Sequence, residues 1–338
     1  MRKSTVAYIS YLHNSGVAIE INDKLLIFDY AMHMPAEHGA GLTAGIILPE
    51  IFKEKSKVYV FVSHSHYDHF NTAIMDWGKQ YRNVTYILSD DIVREEPAHY
   101  LHEGDTITDP GIEITACPST DIGVSFLVNV EGFTIFHAGD LNLWHWESDS
   151  RNVYRIAKYA FKKALNFFDN PEIDIAFFPV DPQIGGKYYE GAEYFCEKLK
   201  PKIFVPMHFG FQFDVCEKFC SLMDLPEMKV WCIRKRGDQC KVIKSNKIIL
   251  EENKMSKSEI GNQIFSLIEE VLNEESKKIK SFDDDISEIL DSVGFVTLIV
   301  EIETFFDIEI NDDDYEVYKI NTINKLADLV ETYMEKKN

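Results

Sequence analysis

No stretch of this sequence approaches the roughly 20 consecutive apolar residues of a membrane-spanning helix, so no membrane span is expected. Positive charge is scarce. The chain has 35 Lys+Arg against 56 Asp+Glu, a net charge of −21. A surface of that sign repels phosphate backbones and argues against a nucleic-acid binder. The six cysteines (Cys117, Cys196, Cys216, Cys220, Cys232 and Cys240) contain no CxxC pair. They read as reduced, mostly buried thiols of a cytoplasmic protein rather than as a disulfide framework or a thiolate metal site. There is no internal repeat of solenoid period and no low-complexity tract. The opening residues MRKSTVAYISYLHNSG hold two basic residues but lack the apolar run of a signal peptide, and they read as a first strand.

What is present is a chain of 338 residues with 45% hydrophobic content, enough for two ordinary cores. Strand-like runs dense in Val, Ile, Phe and Tyr are expected at Thr5–Leu12, Val17–Ile21, Leu25–Asp29, Val58–Ser63, Val84–Leu88, Ile112–Cys117, Val124–Val130, Phe133–His137, Ile173–Phe178 and Ile203–Met207. Helix-like segments fall between them at Thr72–Tyr81, Val153–Phe168, Tyr189–Leu199 and Phe213–Met223. This mixture predicts a layered α/β domain over residues 1–250. A short polar segment, 251–258, reads as a linker. Beyond it the pattern becomes helical, with Ile260, Ile264, Leu267, Ile268, Val271 and Leu272 at one face, then amphipathic runs at Val293–Phe306 and Ile323–Tyr333. Residues 259–338 therefore form a small all-helical domain, with 21 Asp+Glu against 7 Lys+Arg.

The most specific feature is Ser63-His64-Ser65-His66-Tyr67-Asp68-His69, directly after the apolar strand ending near Val62. Imidazole and carboxylate are common ligands of zinc and its neighbours. In an extended stretch residues two apart point the same way, so His64 and His66 can chelate one ion while Asp68 and His69 serve a second. The HxHxDH pattern resembles the metallo-β-lactamase superfamily over about residues 5–250. The resemblance implies a four-layer αββα sandwich with two divalent metal ions at the strand ends, zinc first, with iron or manganese as alternatives. It assigns Asp140, after Phe136-His137-Ala138-Gly139, as the carboxylate bridging both metals, and His208, in Val205-Pro206-Met207-His208-Phe209-Gly210, as the last histidine ligand. Asp68 and Asp140 become the catalytic carboxylates. One position departs from the family. Its usual histidine turn reads here Pro118-Ser119-Thr120-Asp121-Ile122-Gly123-Val124-Ser125. Asp121 is then either a harder ligand or a neighbour that leaves its site weaker, and His137 is a rival for the place. Asp29 matches a carboxylate that orients metal-bound histidines, and Trp144 and His145 are candidate pocket walls.

The second specific feature begins at Leu290-Asp291-Ser292-Val293-Gly294-Phe295 and runs through Glu303-Thr304-Phe305-Phe306-Asp307-Ile308-Glu309-Ile310 into the acidic Asp312–Asp314 patch. Ser292 alone reads as a helix N-cap. The longer pattern resembles acyl carrier proteins, and implies a four-helix bundle carrying 4′-phosphopantetheine on Ser292. A hydroxyl at a helix N-terminus holds a phosphodiester where the helix dipole favours an anion. The expected partners are an acyl substrate on phosphopantetheine, a phosphopantetheinyl transferase and acyl-loading enzymes with basic docking faces.

Together these features predict a metal-dependent hydrolase acting on carrier-tethered acyl groups. Thioester hydrolysis is the first expectation, because a dinuclear site makes hydroxide available near neutral pH and tethering raises local substrate concentration to roughly millimolar. Amide, lactone or redox chemistry on a carrier-bound substrate is the alternative, and a non-catalytic docking role is a third.

Overall fold

A computed structural model of the chain describes residues 4–33, 41–94, 97–169, 171–223, 228–252, 257–272, 279–306, 308–311, 314 and 320–337. The chain divides into two compact units, Met1–Asn253 and Lys254–Asn338.

The first unit is built on two sheets. One contains β1 (Thr5–His13), β2 (Gly16–Ile21), β3 (Lys24–Phe28), β4 (Lys57–Val62), β5 (Val84–Ser89), β6 (His99–Leu101), β14 (Gln239–Lys244) and β15 (Ile248–Glu252), in the order β15-β14-β1-β2-β3-β4-β5-β6. The other contains β7 (Thr106–Asp109), β8 (Ile112–Cys117), β9 (Ser125–Val130), β10 (Phe133–His137), β11 (Ile175–Pro179), β12 (Ile203–Met207) and β13 (Lys229–Val230), in the order β13-β12-β11-β10-β9-β8-β7. Strand β4 shows why its sequence is apolar throughout. Tyr59 and Phe61 enter the core between the sheets, while Val58, Val60 and Val62 enter a second core on the outer face with Phe52, Ile74 and Trp77. A strand buried on both sides has no polar alternation to show. Short 3-10 turns at Pro49–Glu54 and Thr72–Asp76, with α1 (Trp77–Gln80), supply that outer layer. Across the other sheet lie α2 (Arg151–Leu165), α3 (Glu190–Leu199) and α4 (Phe213–Leu222), which contribute Phe161, Phe195 and Phe219 to the central core. The four-layer αββα order expected from the sequence is thus observed.

The parallel stretches position the chemistry. Strands β3 to β6 run parallel, as do β10 to β13. The carboxyl ends of β3, β4, β10, β11 and β12 are followed by Asp29, Ser63-His64, Asp140, Asp181 and His208 respectively. Open α/β sheets place their sites at these ends.

Several expectations are corrected. Strands β6, β7, β13, β14 and β15 were not anticipated; β6, β7 and β13 are short, β15 carries exposed Glu251 and Glu252 at the sheet edge, and β14 interrupts its apolar residues with Gln239, Lys241 and Lys244, which weakens the apolar signal. The helix expected over Thr72–Tyr81 is a 3-10 turn followed by a single α turn. Strand β15 extends to Glu252 and α5 begins at Lys257, so both ends of the segment read as a linker have regular structure. Not all the thiols are free. Cys220 and Cys232 form a disulfide, while Cys117, Cys196, Cys216 and Cys240 are free and buried. The partners lie on α4 and beyond β13, a proximity that sequence spacing does not reveal.

The second unit contains α5 (Lys257–Leu272), α6 (Ser292–Phe306) and α7 (Ile323–Lys337), with a 3-10 turn at Ile286–Glu288. Ile264, Ile268, Phe295, Leu298, Ile302, Leu326 and Val330 form its core. The part of the expected bundle between α6 and α7 falls largely on residues 312–313 and 315–319, and Asp307, Asp312 and Asp313 of the expected acidic face also lie outside the described residues.

Candidate metal centre

The HxHxDH segment leaves β4 under a network that fixes its direction. Asp29, fully buried at the end of β3, accepts hydrogen bonds from Ser63 N at 2.8 Å, Ser63 Oγ at 2.7 Å and His69 Nδ1 at 2.8 Å. One carboxylate therefore ties the first residue of the motif to its last. Two glycines let neighbouring loops close on it. A Cβ at Gly123 would stand 2.1 Å from Ser63 O, and one at Gly139 2.6 Å from Ser63 Cβ; both glycines have positive φ, 79° and 52°. His208 also adopts positive φ, 65°, and its N–H donates to Asn14 O at 3.1 Å. A non-glycine residue held there marks a conformation that its surroundings enforce.

The side chains converge in two groups whose ligand atoms all lie within 4.8 Å of one another: His64, His66 and Asp140, and Asp68, His69 and His208. Asp140 stands between them. Its Oδ2 is 3.5 Å from His64 Nε2, and its Oδ1 is 3.1 Å from His69 Nε2 and 3.3 Å from His208 Nε2. His69 Nε2, His208 Nε2 and Asp140 Oδ1 are buried without a hydrogen-bond partner. Orphaned buried polar atoms are costly, and three aimed at one point fit a cation. The donor set of imidazole nitrogen and carboxylate oxygen suits zinc, iron or manganese.

Charge follows the same geometry. Burial would lower His69, but the carboxylates of Asp140 and Asp29 outweigh it and lift the imidazole to about 9. His208 is likewise raised despite its burial, by Asp140, Asp181 and Asp68. Burial would raise Asp140 and Asp68. The imidazoles of His208 and His69 instead hold Asp140 far below the usual carboxylate range and Asp68 down to about 2. His64 is depressed, by burial first and His69 second. The region is a compact set of anionic carboxylates and imidazoles, with charge to exchange for a divalent ion.

The other expected residues separate. Asp121 belongs to neither group. It is 41% exposed, and its Oδ2 is 3.9 Å from His66 Nδ1, at the open edge of the first group. His137 is not a rival for the place. It is fully buried behind Asp29, stacked on Phe28, with Nε2 donating to Ser15 O at 2.9 Å and Nδ1 accepting from Gly139 N at 3.2 Å. Both nitrogens are committed to backbone, so neither is left for an ion. Trp144 lies against both groups. Its Nε1 donates to Asp140 O at 2.8 Å and its ring lies edge-on to His208, centroids 5.6 Å apart. His145 does not join it. It faces Glu190 at 3.4 Å and packs on Tyr154, among residues of α2 and α3.

Two residues of the site were missed or undervalued in the sequence. Asp181, at the end of β11, accepts from His208 Nδ1 at 3.0 Å and from Gln183 N at 2.8 Å. Its signal was an Asp closing the apolar run Ile175–Val180, the same signal that marks Asp29 and Asp140. Asn14, at the β1–β2 turn, donates to Asp68 Oδ2 at 3.1 Å and accepts from Gly210 N at 3.2 Å. A cleft of about 550 Å³ opens over the second group, lined by His13, Asn14, Asp68, Asp181, His208 and Phe211 among others.

In the second unit Ser292 is the first residue of α6 and is exposed. It is not the cap. Asp291 Oδ1 accepts from Gly294 N at 2.8 Å, leaving the Ser292 hydroxyl without a partner among the described residues. Leu290 is buried in the helical core beside Gly294, where a Cβ would meet Leu290 Cδ2 at 3.0 Å.

Comparison with known proteins agrees with both halves. Residues 8–208 match the family described as beta-lactamase superfamily domain, and residues 262–330 match the phosphopantetheine attachment site. The chain belongs to the beta-lactamase superfamily and joins a metal-dependent hydrolase fold to an acyl carrier domain. It is 25% identical over 223 residues to a UPF0173 metal-dependent hydrolase of Pelotomaculum thermopropionicum, covering 60% of this chain and 84% of that protein. The carrier half is 42% identical over 74 residues to the acyl carrier protein of Buchnera aphidicola subsp. Schizaphis graminum, covering 21% of this chain and 89% of that protein. Among solved structures it is similar to Igni18, a metallo hydrolase of Ignicoccus hospitalis, with 17% identity and a TM-score of 0.48 over 74% of this chain and all of that one.

Proposed function

We propose that the protein hydrolyses an acyl thioester held on the phosphopantetheine of a carrier domain, with Ser292 as the attachment point of its own carrier. The observation that carries this reading is the convergence of three orphaned buried atoms, His69 Nε2, His208 Nε2 and Asp140 Oδ1, in a chain that also contains a carrier domain. His64, His66, Asp68, His69, Asp140 and His208 would hold two divalent ions. Bound there, such ions supply an activated water near neutral pH and polarise a carbonyl oxygen. The protein's own groups do the rest. Asp29 and Asp181 fix the Nδ1 protons of His69 and His208, so that each Nε2 lone pair faces the centre. Asn14 holds the second carboxylate oxygen of Asp68 in place. Trp144 excludes water on one side, and the cleft over Asp68 and His208 receives the acyl chain. The leaving group is a thiolate, which needs little acid assistance. The exposed Ser292 hydroxyl at the α6 N-terminus suits a phosphodiester.

The test is intact-mass spectrometry after conversion by a broad phosphopantetheinyl transferase with a panel of acyl-CoA donors. The expected result is a pantetheine adduct on the wild type and none on Ser292→Ala. The acyl mass should then disappear with metal present and persist with chelator or in His66→Ala. Acyl groups that load and persist with metal bound would sink hydrolysis of the chain's own thioester and move the search to amide, lactone or redox chemistry on the same carrier.

A further inference from the structure

The cleft over Asp68 and His208 has a lining that bears on which acyl group it takes. Among the described residues no lysine or arginine lines it. Its two carboxylates are already engaged, Asp68 by Asn14 and Asp181 by His208. The rest of its polar lining is imidazole and amide, from His13, His33, Asn71, Gln183 and Gln212. Beside these stand aromatic rings turned to solvent, Tyr67 at 91% exposure and Phe211 at 63%. Apolar walls with a few placed polar groups are the make-up of a small-molecule site. An acyl group with a carboxylate of its own would find no side-chain cation in this lining, and a plain hydrocarbon chain would leave its polar groups unanswered.

His13 and His33 are the two polar groups most firmly placed. His13 ends β1, and His33 lies a few residues beyond β3. One buried side chain holds both segments. The Arg236 guanidinium donates to the carbonyls of Leu12 and Met32, the residues just before them, at 2.8 and 3.2 Å. Phe211 lies on the His13 ring, centroids 4.3 Å apart, and Tyr30 stands edge-on to His33 at 4.8 Å. Burial, with the charge of Arg236 behind it, lowers both imidazoles from their ordinary value, His13 to about 4, so both are neutral near pH 7. A neutral imidazole offers one donor and one acceptor. His13 Nδ1 and His33 Nε2 are shielded from water and have no hydrogen-bond partner. The ring torsion of histidine is broad and roughly two-fold, so either ring can turn that edge to a group held in the cleft.

We infer that the cleft selects an acyl group with a flat apolar body and a hydroxyl or amino substituent, and that His13 and His33 are the residues that read the substituent. The inference rests on the proposed acyl hydrolysis for its purpose, but its test is binding. Asn14, the residue after His13, donates to Asp68 at 3.1 Å. The substituent read by His13 therefore lies close to the reacting carbonyl, on the second or third carbon of the acyl group. Phe211, stacked on the same imidazole, receives the flat body beside it. Hydroxyl and amine share the property that matters, a hydrogen-bonding group without negative charge.

The experiment measures binding of four pantetheine amides, in which nitrogen replaces the thioester sulfur, to the full-length protein loaded with Zn2+, by calorimetry. All four carry the 3-phenylpropanoyl skeleton, with hydrogen, hydroxyl, amine or carboxylate on the second carbon. The hydroxyl or the amine compound, or both, should bind at least about tenfold tighter than the unsubstituted one, and the carboxylate weakest of all. Which of the two binds tighter tells a hydroxyacyl from an aminoacyl substrate. His13→Leu and His33→Leu should each bring the preference below about threefold, and His13→Gln should restore part of it. The readout is a ratio between ligands on one protein, so partial loss of folded material does not alter it. Equal or tighter binding of the unsubstituted compound, preference for the carboxylate, or a preference untouched in both leucine variants overturns the inference. Hydrolysis of the four thioesters is followed separately. A preference that depends on His13 and His33, with no thioester cleaved, supports the selectivity and refutes the hydrolytic reading; thioesters cleaved without any preference in binding do the reverse.

Discussion

Replacing Asp29 by Asn tests the idea that the centre is organised from beneath. The substitution keeps shape and volume but removes one acceptor. Asp29 takes three hydrogen bonds, Ser63 N on Oδ1 and Ser63 Oγ and His69 Nδ1 on Oδ2. An asparagine oxygen can satisfy Ser63 N. Its NH2 then faces two donors, and the His69 ring can meet it only by moving its proton to Nε2. That nitrogen is the one aimed at Asp68 and Asp140, so the adjustment costs the lone pair a cation needs. Loss of such an outer partner typically weakens metal binding about 10- to 100-fold, which corresponds to roughly 1.4–2.8 kcal/mol. Separately, two hydrogen bonds to a charged acceptor are lost in a fully buried place, destabilising the metal-free fold by roughly 3–6 kcal/mol. The first figure is read by competition of Zn2+ or Co2+ with a chromophoric chelator, the second by urea denaturation of the metal-free protein. An Asp29→Asn protein that binds two equivalents with wild-type affinity would refute the role given to Asp29.

Gly123→Ala should weaken metal binding without touching a ligand, because a Cβ there meets Ser63 O at 2.1 Å and the backbone is at φ 79°; chelator competition on the folded variant checks it. Arg236→Met should lower stability by about 3 kcal/mol in urea titration. The buried guanidinium donates to the carbonyls of Leu12, Met32 and Gly45, which methionine leaves unsatisfied. Thiol titration under denaturing, non-reducing conditions should find four thiols out of six, since Cys220 and Cys232 are paired; six would contradict the pairing. Without denaturant the four should react slowly, because all are buried.

How much of this was legible follows from where each residue sits in sequence. His64, His66, Asp68 and His69 lie within six residues, and a dense cluster after an apolar strand is visible without a fold. Asp140 and His208 were found because each ends an apolar strand, a signal the resemblance then ranked. Asp181 carries the same signal, but lies outside the family motif and was passed over. His137 and His145 show the converse. Each flanks a site residue or lies close to one in sequence, yet a strand turns alternate side chains to opposite faces and a loop can point anywhere. His137 therefore lies behind the network and His145 on the helical side. The disulfide was hidden because Cys220 sits on α4 and Cys232 just past β13, and their approach depends on β12 and β13 pairing. Ser292 lies at a helix start, as expected; taken alone it and Asp291 are both good caps, and only the Gly294 N–H contact gives the cap to Asp291.

The two halves of the centre are not equivalent, and that has a consequence for how they fill. In the group Asp68, His69 and His208, both imidazoles are held through Nδ1 by buried carboxylates, Asp29 and Asp181, and Asp68 is held by Asn14. Every proposed ligand atom there is oriented in advance by these hydrogen bonds, so an ion binding there would meet little ordering cost. In the group His64, His66 and Asp140 the support is thinner. His64 Nδ1 has the Ser63 hydroxyl at 2.9 Å, His66 is 46% exposed, and its carboxylate neighbour Asp121 stands 3.9 Å away and is itself exposed. Where members of the resembling family have a histidine, this chain has that loosely held Asp121. Metal titration of the metal-free protein should therefore show two separable steps, a tight first equivalent and a second weaker by at least the roughly 10-fold that one outer-partner contact is worth. His66→Ala should abolish the second step and spare the first, whereas Asp181→Ala should weaken the first. A single step of two equal equivalents, or loss of the tight step in His66→Ala, would mean that the carboxylates behind His69 and His208 do not set the order of binding.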